Sequence, residues 1–349
     1  MNGYERIAAA LRGEAGRPTP VMLHNFMMAA RQAGVSMRDY RRDGATVARC
    51  FVQAVETFGY DGIVVDIDTA TLAGAVGVPV RFPDDEPALC EGQRLKSLAG
   101  VRELAAPEVG TYWGIEVWLE AVRRLRRYFG DEIYVRGNCD QAPFSLAAAM
   151  RGSAEWMMDL LEPANEEDAH RLLEYTTAAV IQFVELMVEA GAHMVSNGDS
   201  PAGPSVISPG LYRRFAWGYE KRVVEAAHAR GLPYLLHICG KTEPILAEMV
   251  ATGADALELD QKTDARRARD ILGGRTTFVG NLDPSEVLAR GSVSDVEAKT
   301  RELLAIFRGN PRFILNAGCA IAATTPEENI HAMVRVARQE GESSWTRSR

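Results

Sequence analysis

Short apolar runs recur along the chain, and stretches of helical periodicity fill the intervals between them. The runs cover residues 21–23, 62–65, 133–135, 193–195, 233–236, 256–259, 277–279 and 313–315. Runs this short, bounded by turn residues, read as buried strands. Amphipathic spacing predicts a helix over 2–12, a segment reaching Tyr40, and helices over 43–58 and 116–129. Further helices are expected over 143–150, 153–161, 166–190, 211–230, 243–251, 265–272, 294–308 and 326–340. Residues 78–100 carry Pro79, Pro83 and Pro87 and read as an insertion with short extended pieces. They lack the polar low complexity of a tether.

Eight strands alternating with helices, with no break in composition, are the cadence of a single parallel (β/α)8 TIM barrel in the α/β class. An open doubly wound sheet is the alternative, but it usually has fewer strands and a Gly-rich phosphate loop. No G-x-G-x-x-G or Walker sequence occurs here. The expected organisation is one barrel over 1–342 and a frayed tail over 343–349.

Composition narrows the classes of function. The chain has 349 residues, 47% apolar and 25% charged, as in soluble globular proteins. A net charge of −8 argues against a nucleic-acid surface. The densest basic patch, Arg123, Arg124, Arg126 and Arg127, lies on a helical pattern and reads as a solvated face. There is no signal peptide and no long apolar span, so a cytoplasmic protein without membrane partners is expected. Five scattered cysteines, an odd number, do not make a disulfide framework.

Polar residues gather at or just past the carboxyl ends of the strands. They are His24, Asp66, Asp68, Asn138, Asp140, Asn197, Asp199, His237, Cys239, Asp260, Asn281, Asp283, Asn316 and Cys319. Barrels of this kind build their active sites there, although Asp and Asn also cap helices. His237 and Cys239 are two positions apart on an extended segment, so they point the same way. Imidazole plus thiolate is a zinc ligand set, and Cys319 is the natural third member. Three protein ligands leave one position open, the catalytic form of a zinc site. The alternative is that the cysteines are small buried hydrophobes and the histidine only satisfies a carbonyl. Of the other histidines, His24 lies at the functional end. His193 lies at the opposite end and reads as structural, and His170, His228 and His331 fall on helical patterns.

From about residue 3 to 340 the chain resembles the uroporphyrinogen decarboxylase superfamily. The resemblance is carried by Arg31-Gln32-Ala33-Gly34, Asp68 before Gly77, Gln141-Ala142-Pro143-Phe144, Asp199, Gly280-Asn281-Leu282-Asp283-Pro284 and Ile314-Leu315-Asn316-Ala317-Gly318. One branch of that superfamily decarboxylates a tetrapyrrole without metal. The other consists of zinc methyltransferases that work with a corrinoid protein, and it is marked by His-x-Cys and a distant Cys. His237-Ile238-Cys239 and Cys319 match the second branch. Val35-Ser36, Ala149 and Cys319 depart from the first branch, where Arg-Tyr, Tyr and His stand.

The resemblance implies Zn2+ held by His237, Cys239 and Cys319, with methylcobalamin or another corrinoid supplied by a partner protein. The expected reaction moves a methyl group between the corrinoid and a thiol, or from a methylated donor of the methoxy-aromatic, methanol or methylamine type. The alternative is decarboxylation of a tetrapyrrole, and a barrel that binds such a ligand without turnover is a third reading. Asp68 and Asp199 are the candidate catalytic carboxylates, and Arg31, His24, Asn197 and Asn316 the candidate substrate-binding residues. Asp199 and Asp260 are also candidates to orient His237, whose second ring N–H requires an acceptor. Met27, Met28, Trp113 and Phe144 are candidates to line the pocket.

Overall fold

The computed structural model describes residues 1–14 and 18–343. Eight parallel strands pair in chain order: β1 (Met22–Leu23), β2 (Gly62–Val65), β3 (Tyr134–Gln141), β4 (Met194–Gly198), β5 (Tyr234–Ile238), β6 (Ala256–Leu259), β7 (Thr277–Leu282) and β8 (Phe313–Ala317). Val21 bridges Leu315 in parallel, and the Leu315 N–H donates to the Pro20 carbonyl at 2.9 Å. The first and last strands thus meet, and the sheet closes into a TIM barrel. No helix among the described residues is long and apolar enough to cross a membrane.

The barrel interior changes character along its axis. A compact apolar cluster takes one residue from every strand: Met22, Val64, Tyr134, Met194, Leu235, Ala256, Val279 and Ile314. The first helix, Gly3–Arg12, packs Ile7, Ala8, Ala10 and Leu11 against this floor and plugs the amino-terminal end. Asn2 caps that helix by accepting from the Glu5 N–H at 2.9 Å. Side chains alternate along a strand, so the next inward layer lies two residues on. It reads His24, Asp66, Arg136, Ser196, His237, Glu258, Asn281 and Asn316, all of them polar. The fold therefore sets a polar layer directly beneath the open mouth.

Asp61 ties three parts of the floor together. Its buried carboxylate accepts from the Val21 N–H at 2.8 Å, from Arg6 Nε at 3.0 Å and from Arg338 Nη1 at 2.8 Å. These contacts join the first helix, the first strand and the closing helix Glu327–Ser343. At the same end His193 is structural, as its position implied. Its Nδ1 accepts the Val135 N–H at 2.9 Å, and Nε2 faces Asp131 at 3.2 Å.

Burial pushes the His193 imidazole down to about 4. The folded state then binds fewer protons than the unfolded state as pH falls from about 6.5 to about 4, so stability falls across that window. The loss attributable to His193 is expected to be about 1–2 kcal/mol, discounted because its Asp131 partner is exposed. His193→Gln removes the titration. Its urea midpoint should fall less than that of the wild type between pH 7 and 4, and parallel declines would contradict this assignment.

Several expected elements needed correction. Strands 3, 4, 5, 7 and 8 run past their apolar stretches into polar residues, because ladder hydrogen bonds depend on the backbone and not on hydrophobicity. The expected helix over 211–230 is two helices, Pro209–Phe215 and Trp217–Ala229, broken at Ala216. The helix expected over 116–129 begins earlier, at Trp113. A short helix, Thr71–Ala75, was not anticipated. The insertion forms a two-stranded antiparallel hairpin, Val80–Arg81 with Leu89–Cys90. Residues 344–349 of the expected frayed tail lie outside the described residues.

Candidate metal centre

The strand ends bring His237, Cys239 and Cys319 to one point, with their ligand atoms within 4.8 Å of one another. His237 Nε2 lies 2.9 Å from Cys239 Sγ, which lies 3.7 Å from Cys319 Sγ. All three residues are half-buried. Nδ1 of His237 donates to the Glu258 backbone carbonyl at 3.0 Å, which leaves Nε2 as the free donor of an electron pair. The acceptor expected for the second ring nitrogen is thus a carbonyl, not Asp199 or Asp260.

The backbone around each sulfur is braced. The Cys239 N–H donates to Ser200 Oγ at 3.2 Å, and the Asp199 N–H donates to the His237 carbonyl at 2.8 Å. Gly240 turns the chain at φ +91°, and its N–H reaches Asp260 Oδ2 at 2.8 Å. On the other side, Gly318 brings the chain so near β6 that a Cβ there would lie 2.5 Å from the Gln261 nitrogen. Only glycine permits that approach, and Cys319 follows it.

Electrostatics favour a charged sulfur. A hydrogen bond from the Cys319 thiol, then the His237 imidazole, hold Cys239 well below the ordinary thiol range against burial. Cys319 is correspondingly pushed up, because it keeps the proton shared between the sulfurs. Burial opposes the charged form of His237, but the Cys239 sulfur overrides it and raises the imidazole to about 9. Protons therefore occupy the positions that a cation would take. The donor set fits zinc: tetrahedral geometry with Zn–S of about 2.3 Å separates two sulfurs by about 3.8 Å, close to the observed 3.7 Å.

Beneath the three donors lies a network that the sequence reading missed. Arg136 pairs with the Glu258 carboxylate inside the barrel and donates from Nε to Ser196 Oγ at 2.7 Å. The other Glu258 oxygen accepts from Asn316 Nδ2 at 3.2 Å. The available signal was the lone charge within each strand: Glu258 interrupts Ala256–Leu259, and Arg136 follows the 133–135 run. A charge on the inner face of a closed barrel requires a partner there.

The remaining candidates fall into different places. Asn316 is fully buried, with its Oδ1 accepting from the Ala317 N–H at 2.8 Å. Asn197 is equally buried, donating to the Cys139 carbonyl at 2.6 Å and accepting from Tyr234 Oη at 2.9 Å. The side-chain polar atoms of both are engaged within the barrel wall. Asp68 accepts from the Ala70 and Thr71 N–H groups at 2.9 and 2.8 Å and so caps Thr71–Ala75. Burial raises its carboxyl to about 6. Asp199 Oδ1 is held by the Ser145 N–H at 2.7 Å and by Ser145 Oγ. Asp283 caps the Ser285 and Glu286 N–H groups.

His24 lies in the polar layer, 2.5 Å from Asp66 Oδ2. Arg31 is exposed on the helix Phe26–Gln32 and forms no ion pair with another described residue. Phe144 and Met28 are core residues, and Trp113 is exposed against Phe82. Cys50 and Cys139 are buried and Cys90 is exposed. Burial raises the Cys50 and Cys139 thiols. Arg123, Arg124 and Arg126 of the basic patch pair with Glu116, Glu120 and Asp131 on the surface.

Comparison with known proteins bears on this centre. The uroporphyrinogen decarboxylase (URO-D) family description matches residues 2–340. The methylcobamide:CoM methyltransferase MtbA of Methanosarcina mazei is 29% identical over 339 residues, covering 96% of this chain and 97% of that protein. A uroporphyrinogen decarboxylase of Myxococcus xanthus is also 29% identical, covering 97% of each. The solved structure of a methyltransferase from Methanosarcina mazei superposes with a TM-score of 0.87 at 26% identity, covering 97% of this chain and 99% of that one. Overall identity does not separate the two activities, so the decision falls to the residues of the site.

Proposed function

We propose that this chain, which belongs to the uroporphyrinogen decarboxylase family, is a zinc-dependent methyltransferase that moves a methyl group between a corrinoid protein and a thiol. The observation that carries the reading is the meeting of His237 Nε2, Cys239 Sγ and Cys319 Sγ at the barrel mouth. A tetrapyrrole decarboxylase has no use for two facing sulfurs there.

His237, Cys239 and Cys319 would hold the ion, and its fourth position would lower the pKa of an entering thiol. The rest of the chemistry belongs to the chain. Glu258 orients His237 through its carbonyl. Ser200 and Asp260 fix the Cys239-Gly240 backbone. The polar layer keeps the floor beneath the sulfurs charged and hydrogen-bonded. Two thiolates reduce the Lewis acidity of zinc, which favours a thiol acceptor over a methoxy or methylamine donor. The corrinoid arrives on a separate protein seated over the mouth, because the chain has no Asp-x-His-x-x-Gly segment to bind it.

The test is direct. Purified protein should carry about one zinc per chain and methylate a thiol from methylcobalamin. Removing the metal should abolish the transfer, and adding zinc back should restore it. Decarboxylation of uroporphyrinogen by metal-free protein, with no methyl transfer in any metal state, would overturn the reading.

A further inference from the structure

We infer that the connections leaving the carboxyl ends of β2, β3 and β4 form the docking surface for the corrinoid-carrying protein, through an apolar arc set among unpaired carboxylates. The inference rests on the methyltransferase reading above and names where, and by what chemistry, the partner binds.

The exposed apolar side chains are distributed unevenly. Among the described residues eight large ones are exposed, and two of them, Met1 and Tyr128, belong to the floor end. The other six are Phe82, Leu89, Trp113, Met158, Leu161 and Val206. Phe82 and Leu89 lie in the hairpin of the insertion, and Trp113 opens the helix that returns to β3. Met158 and Leu161 lie between β3 and the helix Glu166–Glu189, and Val206 between β4 and the helix Pro209–Phe215. In a barrel of this topology each such connection stands at the mouth end. The connections after β1 and after β5 to β8 carry no large exposed apolar side chain among the described residues. Apolar side chains left in water on one arc and not elsewhere mark a surface that is covered in use.

The arc is a continuous platform. Phe82 and Trp113 are in contact, with ring centroids 5.4 Å apart. The Leu95 N–H donates to the Met150 carbonyl at 2.9 Å, which joins the insertion to the helix Pro143–Arg151. Arg151 Nε then donates to Asp159 Oδ2 at 2.7 Å, beside Met158. Ser145 of the same helix holds Asp199. The loop that follows Asp199 packs Gly203 so close to Cys239 that a Cβ there would lie 3.2 Å from the Cys239 carbonyl oxygen. The platform therefore runs from the outer rim to the proposed metal centre, and a protein seated on it borders that centre.

Charge selects the occupant. Asp85 and Glu86 in the hairpin, and Glu155 and Glu162 beside Met158 and Leu161, are exposed and form no ion pair with another described residue. Arg81, Arg102 and Arg151 on the same connections are paired with Glu91, Asp168 and Asp159. Lys96 is the one exposed base left there without a carboxylate among the described residues. Such a face repels an anionic lipid surface or a nucleic acid, and a second copy would set carboxylate against carboxylate. The partner that fits presents an apolar patch bordered by lysine and arginine around its corrinoid. Charge then steers the encounter, and the buried Trp113, Met158 and Leu161 hold it.

The test uses zinc-loaded full-length protein and, as the probe, a purified methyl-loaded corrinoid protein from the same genome that carries the Asp-x-His-x-x-Gly segment. Biolayer interferometry measures binding, and methyl transfer to 2-mercaptoethanol is followed in parallel. Met158→Asp/Leu161→Asp, at sites 67% and 65% exposed, should weaken binding by about 10-fold or more and raise the KM for the corrinoid protein to match. Its zinc content and its transfer from free methylcobalamin should equal those of wild type. Glu155→Lys/Glu162→Lys should weaken binding several-fold and flatten its dependence on salt. A charge placed at the floor end, Tyr128→Asp, should leave binding unchanged. Undiminished affinity in Met158→Asp/Leu161→Asp would overturn the docking surface, as would wild type that uses free methylcobalamin yet does not bind the probe. A wild-type dimer in sedimentation that the same double variant dissociates would also overturn it, because the face would then belong to a second copy. Wild type that transfers no methyl group even from free methylcobalamin would overturn the methyltransferase reading instead, a distinguishable failure.

Discussion

Cys239→Ser is expected to leave the protein essentially free of zinc, and Cys319→Ser should do the same. A complete structural zinc site contributes about 10–16 kcal/mol of apparent binding free energy. One of four ligands then accounts for about 2.5–4 kcal/mol, or roughly a 100- to 1,000-fold loss of affinity. Serine does not replace the sulfur, because its hydroxyl stays protonated and is a harder donor. Cys90→Ser is the control: this thiol is exposed on the hairpin and outside the cluster, so zinc should be retained. Metal analysis after dialysis against a weak chelator, together with competition titration, measures both effects. Full zinc content in Cys239→Ser and Cys319→Ser would remove the proposed centre.

Arg136→Met is expected to destabilise the fold by about 3–5 kcal/mol, because it strands a buried carboxylate. Arg136 and Glu258 are 2% and 1% exposed, and their pairing lies within the closed sheet. Burial works against ionised Glu258, but Arg136 and then His237 hold it below the ordinary carboxylate range. A carboxylate held low contributes stability above its unfolded pKa and loses it as pH falls through the folded one. Without Arg136 burial dominates and the folded carboxyl rises. The deficit of the variant should therefore be largest near pH 7 and shrink towards pH 5, as Glu258 takes a proton. The double variant Arg136→Met/Glu258→Gln, which keeps a partner for Asn316, should recover much of the loss at neutral pH. Denaturant unfolding of the three proteins at both pH values measures this. A deficit that did not change with pH would mean that lost packing, not stranded charge, sets the cost.

The two centres differ in how legible they were along the chain. His237 and Cys239 are neighbours on one strand, so period two alone aims both at the same space. Cys319 lies 80 residues away and was reached only through the barrel inference, which places every strand end at one rim. The aspartates and asparagines at the same rim could not be sorted in this way. Asp68, Asn197 and Asn316 look alike in sequence, yet one caps a helix, Asn316 lies in the polar layer, and Asn197 is sealed against the Cys139 carbonyl and Tyr234. Each is distinguished by partners from other strands or from a helix that the apolar pattern does not predict.

The sequence by itself determined the class of fold, the number and order of strands and the residues able to hold a soft cation. Those follow from local periodicity and donor chemistry, which neighbouring residues settle among themselves. Only the tertiary structure decided that a polar layer lies beneath His237, Cys239 and Cys319, that the Glu258 carbonyl orients His237, and that His24 pairs with Asp66. Those are contacts between strands, and they depend on sheet closure and pairing register, which no single stretch of chain encodes.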